Sequence, residues 1–115
     1  MDVAIASLWP PFPRDAMESS TLRKRFVLTN HQGLHMRPCG AIAAAAARFQ
    51  SSITVSLPDR TVNAKSILDL MTLGAPKGTE LAVEIDGPDA KDALDAMVGV
   101  FDRLAKGDFD EKEEA

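Results

Sequence analysis

Hydrophobic positions along the chain change their spacing several times, and each change marks an element. Leu22, Lys24, Phe26 and Leu28 fall on alternate residues and predict one face of a strand over 22–28. Over 37–49 the spacing becomes helical: alanine dominates, with Ile42, Ala45 and Phe49 along one side, so propensity and pattern both predict a helix. Ile53, Val55 and Leu57 then alternate with Thr54 and Ser56. A Pro58-Asp59 turn leads from them into a second strand over 60–64, and the pair reads as a hairpin. Ser66 can cap a short helix reaching about Leu73, with Asp69 at the third helical position and Gly74 placed to end it. Leu81, Val83 and Ile85 mark a fourth strand. After Gly87-Pro88-Asp89, a stripe of Ala90, Ala93, Leu94, Met97, Val98, Phe101, Leu104 and Ala105 predicts the last helix.

The resulting order is strand, helix, strand, strand, helix, strand, helix. Each strand has one apolar face and each helix one apolar stripe. The economical arrangement is an α+β open-faced sandwich, a four-stranded, mainly antiparallel sheet covered on one face by three helices. The domain is expected over 22–106. Residues 1–21, with Pro10, Pro11 and Pro13 beside Trp9 and Phe12 and no regular period, read as a flexible arm. Met17 offers a second start just before the first strand, so residues 1–16 read equally as an extension or as the product of an upstream start. Residues 107–115 read as an acidic tail.

Composition narrows the class. At 45% hydrophobic and 26% charged, the 115 residues fit a globular domain and exclude collagen-like, disulfide-stapled and wholly disordered chains. Cys39 has no partner for an intramolecular bridge, which suits a reducing compartment. The net charge of −4 is carried by the tail, where Asp108, Asp110, Glu111, Glu113 and Glu114 face only Lys112, so the remainder is electrically balanced. A neutral body has no basic surface for nucleic acid. No apolar run approaches the roughly 18 residues needed to span a bilayer, and Ala4–Leu8 is too short for a signal peptide. A cytoplasmic monomer without membrane or nucleic-acid partners is expected.

The candidate chemistry lies in Gly33-Leu34-His35-Met36-Arg37-Pro38. It sets an imidazole at or beside the start of the alanine-rich helix. The free amides of a first turn and the positive end of its dipole form an anion site, one that suits a phosphoryl group more than a cation, and favour a neutral, nucleophilic ring. Arg37 can pair with phosphate oxygens, and Pro38 surrenders an N–H that has no helical partner there. His31, His35 and Cys39 are spaced by four, as metal ligands on a helix would be, but Gly33 and the loop interrupt that helix. Neither metal nor cofactor is expected. Cys39 reads as a packing residue, and Gly40 in a helix implies a close packing contact. A short helix cannot bury every side, so Ile67, Leu68, Leu70 and Met71, with Met36, are candidates for an apolar docking patch beside His35.

The segment Gly33-Leu34-His35-x-Arg37-Pro38 resembles the active-site motif of HPr, the histidine phosphocarrier family of the bacterial phosphoenolpyruvate:sugar phosphotransferase system. A second segment, Asn63-Ala64-Lys65-Ser66-Ile67-Leu68-Asp69-Leu70-Met71-Thr72-Leu73-Gly74, is similar to that family's regulatory serine site at the family's spacing. The resemblance implies that His35 accepts a phosphoryl group on Nδ1 from phosphorylated enzyme I. It implies that Arg37 steadies the group and that a sugar-specific enzyme II A component or a regulatory target receives it. In many members the serine matching Ser66 is phosphorylated by HPr kinase/phosphorylase, which lowers transfer at the histidine. Met36, Cys39 and Gly40 depart from the residues expected around the Arg-Pro pair without removing a phosphate ligand. The chain therefore reads as a relay rather than a stand-alone enzyme. The alternatives are a nitrogen-type regulatory carrier and a protein-binding module whose histidine is never phosphorylated.

Overall fold

The computed structural model describes residues 21–110, so all but the last residue of the expected arm and the second half of the tail lie outside the described residues. The element order is β1 (Leu22–Val27), α1 (Met36–Ala46), β2 (Ser52–Leu57), β3 (Arg60–Asn63), α2 (Ile67–Met71), β4 (Glu80–Asp86) and α3 (Ala90–Ala105). The strands form one sheet in the order β1-β4-β2-β3, with every neighbouring pair antiparallel. The architecture is the open-faced α+β sandwich.

Register explains the two faces. Leu22, Lys24 and Phe26 pair with Ile85, Val83 and Leu81, while Ile53 and Val55 pair with Ile85 and Val83 from the other side. Side chains alternate along a strand, so these positions share the face that meets the helices. There Leu28, Ile42, Ile53, Leu70, Leu81, Ile85, Met97 and Leu104 are fully buried, each worth about 1.5–3 kcal/mol in removal from water. Phe26 stacks on Phe101 of α3, with ring centroids 4.3 Å apart. The opposite face is polar: Arg23 bonds Glu84 at 2.7 Å and Arg25 pairs with Glu80 at 3.3 Å.

Two helices are shorter than their patterns predict. α1 stops at Ala46 because Arg48 and Phe49 donate three residues back, to Ala45 and Ala46, and tighten the chain out of the α form. α2 ends at Met71, after which Thr72, Leu73 and Gly74 form a tighter turn closed by Gly74 at φ 54°. The buried stripe of α3 is also narrower than expected. It comprises Ala90, Ala93, Met97, Phe101 and Leu104, while Val98 and Ala105 are exposed. Gly40 corrects a further expectation, because a Cβ built there meets nothing within 4 Å. No close packing demands a glycine at that position.

The start of α3 is tied to the loop before β2. Asp89 accepts from the amides of Gln50 and Ser51, each at 2.9 Å, and from the Ser51 hydroxyl at 2.5 Å. These bonds, the Ser51 hydroxyl foremost, hold the Asp89 carboxyl down at about 2. Gly87 is required beside this clasp, since its φ is 152° and a Cβ would collide with Ser51.

Candidate functional site

The position of His35 begins with Gly33. Its φ of 64° lies in the left-handed region, and a Cβ there would strike the backbone of Ala75 and Pro76. That closeness lets Leu34 donate to the Ala75 carbonyl at 2.9 Å, while the Leu34 side chain enters the core. The loop thus delivers His35 to the N-cap of α1 in an extended conformation, φ −114° and ψ −171°. Its carbonyl accepts from Cys39 at 3.1 Å and so begins the helix.

The His35 side chain makes no capping bond to α1. The amides of Met36 and Arg37 precede the first residue that can reach a helical carbonyl, and Pro38 has no N–H. Pro38 and Cys39 are buried and anchor this first turn, whereas Arg37 is exposed and forms no ion pair within the described residues. Two amides at the open start of α1 and an exposed guanidinium two residues along the chain from the imidazole are therefore without helical or ionic partners among the described residues, a donor set suited to a phosphoryl group. Cys39 is no nucleophile: burial pushes its thiol up to about 11.

A residue that the sequence reading did not single out completes the site. Asp110 Oδ1 lies 3.1 Å from His35 Nε2, with the imidazole 24% and the carboxylate 14% exposed. The same oxygen accepts from Asn30 Nδ2 at 2.7 Å, and the Gln32 amide reaches Oδ2 at 3.4 Å. Partial burial works against the charge of Asp110, but the bonds from Asn30 and His35 outweigh it and hold the carboxyl below the usual range. The first four residues of the acidic tail, 107–110, are folded onto the domain. Gly107 at φ 79° ends α3, its amide donates to Leu104, and Asp108 donates back to Arg103, the paired bonds of a Schellman turn. Phe109 is buried beneath the Arg103 guanidinium, 4.7 Å from its ring centre. The available signal was Gly107 itself, a glycine just past the end of the apolar stripe, where it can turn the chain back on the helix.

Ser66 occupies the N-cap of α2, and its Oγ accepts from the Asp69 amide at 3.2 Å. α1 and α2 pack against each other. Met36, Ile67, Leu68 and Met71 are exposed, Leu68 at 76% and Met36 at 66%. Leu70 is not: it is fully buried and must be removed from the apolar patch. A helix of five residues still has an inner side, and Leu70 supplies it. His31 lies in the exposed turn before Gly33. Among the described residues, no group of three His, Cys, Asp or Glu side chains is placed to hold a metal ion.

Comparison with known proteins gives one answer at the level of sequence and of structure. The model of the family described as PTS HPr component phosphorylation site matches residues 22–103. The phosphocarrier protein HPr of Vibrio cholerae is 37% identical over 81 residues, covering 70% of this chain and 95% of that protein. That of Xylella fastidiosa is 40% identical over 81 residues, covering 70% and 91%. Among solved structures, an HPr from Thermoanaerobacter tengcongensis superimposes with a TM-score of 0.69 at 29% identity, covering 80% of this chain and 99% of that one. The HPr of Bacillus anthracis superimposes with a TM-score of 0.66 at 32% identity, covering 71% and 98%.

Proposed function

The chain belongs to the HPr family, the phosphocarriers of the phosphotransferase system, and from that premise we propose that His35 is the residue that takes up the phosphoryl group, at Nδ1, and passes it on. The observation that carries this reading is the open start of α1, where a histidine, two amides without helical acceptors and an uncommitted arginine meet at the surface. A phosphoryl group on the ring would gain hydrogen bonds from backbone already in place, with Arg37 closing on its oxygens. Transfer then needs positioning and charge stabilisation more than any covalent chemistry from neighbouring groups.

The donor in this reading is phosphorylated enzyme I, and the acceptor is a sugar-specific enzyme II A component or a regulatory target. Met36, Ile67, Leu68 and Met71 form the apolar surface on which these partners dock. The relay operates in the cytoplasm; among the described residues no helix is long and apolar enough to cross a membrane. Ser66 is the regulatory position, a substrate for HPr kinase/phosphorylase. A dianion there would remain at the α2 N-terminus, next to amides that already favour negative charge, and would alter the docking surface without refolding it.

Incubating the full chain with phosphoenolpyruvate and enzyme I tests the proposal. An acid-labile, alkali-stable phosphate that is absent from His35→Ala is expected. A wild-type chain that takes no label, or a His35→Ala chain that takes it equally, overturns the reading.

A further inference from the structure

We infer that Asp110, beyond the last helix, is a positioning residue for phosphotransfer, holding the proton of His35 on Nε2 so that the lone pair at Nδ1 faces the incoming phosphorus. The inference rests on the function just proposed and assigns a role to a residue outside the matched family span of 22–103. An ionised carboxylate only accepts hydrogen bonds, so the 3.1 Å contact requires Nε2–H as donor and leaves Nδ1 unprotonated in the neutral ring.

The surroundings of the carboxylate are built for this contact. Asn30 is buried and directs both amide protons outward from one nitrogen, to the Gly33 carbonyl at 2.9 Å and to Asp110 at 2.7 Å. Its own Oδ1 is left buried without a partner. Rotating the amide would satisfy nothing, because it would turn oxygen toward two oxygens. An orphaned buried acceptor is unfavourable, so the fold tolerates a local cost that keeps Asp110 beside His35. Phe109 and the Schellman turn fix the segment from its other side.

In the transfer step the Nδ1 lone pair forms the N–P bond while the bond from phosphorus to the donor's leaving group breaks, its electron pair departing with the donor. The Nε2 proton stays in place. The ring passes from neutral to cationic, and that charge develops against the Asp110 carboxylate. Onward transfer reverses each change.

The test uses the full chain, wild type and with Asp110→Asn, Asp110→Ala or Asp110→Glu. Nitrogen-15 spectra of the unphosphorylated ring are expected to show a single Nε2–H form in the wild type and a tautomer mixture in Asp110→Ala. Phosphoryl uptake from enzyme I is expected to slow about ten-fold or more in kcat for Asp110→Ala and Asp110→Asn, with KM for enzyme I unchanged and partial recovery in Asp110→Glu. A loss confined to folding would alter the melting temperature without this split. A labelled wild type whose Asp110→Ala variant has the same ring spectrum and the same kcat overturns this inference alone. A wild type that takes no label removes the function on which it rests.

Discussion

The starts of α1 and α2 pose the same physical problem and answer it in opposite ways. At α2, Ser66 turns its hydroxyl onto the Asp69 amide and closes the helix end, a cap worth about 1 kcal/mol. At α1, the residue in the equivalent position turns its ring away toward Asp110 and leaves the first amides free. The difference separates a helix end that serves stability from one held ready for a ligand. α3 offers a third solution, in which Asp89 ignores its own helix and clasps Gln50 and Ser51. Two of the three helix starts thus lack a side-chain cap, and what sets α1 apart is that its cap position carries an imidazole beside an exposed first turn.

The comparison can be broken most severely at Gly33. Gly33→Ala combines a left-handed conformation with a backbone collision, and should lower the unfolding free energy by about 2–4 kcal/mol in a denaturant titration. An unchanged midpoint would mean that the α1 start is not built on that close approach. Acid should next loosen the clasp between Asp89 and the loop before β2. Asp89 has a folded pKa near 2 against an ordinary value near 4, so its contribution is present above pH 4 and disappears as the pH falls through 2. Unfolding midpoints measured from pH 5 to pH 2 should fall more shallowly in Asp89→Asn than in the wild type.

A smaller effect sharpens the contrast directly. Ser66→Ala should cost about 1 kcal/mol and leave labelling of His35 intact. His35→Ser should be about 1 kcal/mol more stable than His35→Ala, because it supplies the missing cap, yet neither should take up phosphate. Equal melting temperatures for that pair would show that the α1 amides are not free. Smallest of all, Gly40→Ala should raise stability by up to about 1 kcal/mol, since the site has room for a methyl group. Nothing in the structure explains the glycine at that position.

Much of the fold was legible because its signals are local. Period-two alternation in Ile53, Val55, Leu81 and Val83, and the long stripe from Ala90 to Leu104, each identify a buried face without knowledge of the rest. His35 and Arg37 were legible for the same reason, lying within six consecutive residues. Leu70 was misassigned because five residues make too few turns for periodicity to reveal which side faces inward. Asp110 was missed for a different reason. It joins Asn30 and His35 across 80 and 75 positions through a backbone turn at Gly107, and in a run of acidic residues no single carboxylate stands out.

The Schellman turn that returns Phe109 and Asp110 to the surface of the domain bears on how its edges are drawn. A chain trimmed at Ala105, where the last regular element ends, would keep every strand and helix but lose the carboxylate that faces the imidazole. It would lose the buried Phe109 ring and the bonds that close α3 as well, so the working ring would be left unmoored in a less stable domain.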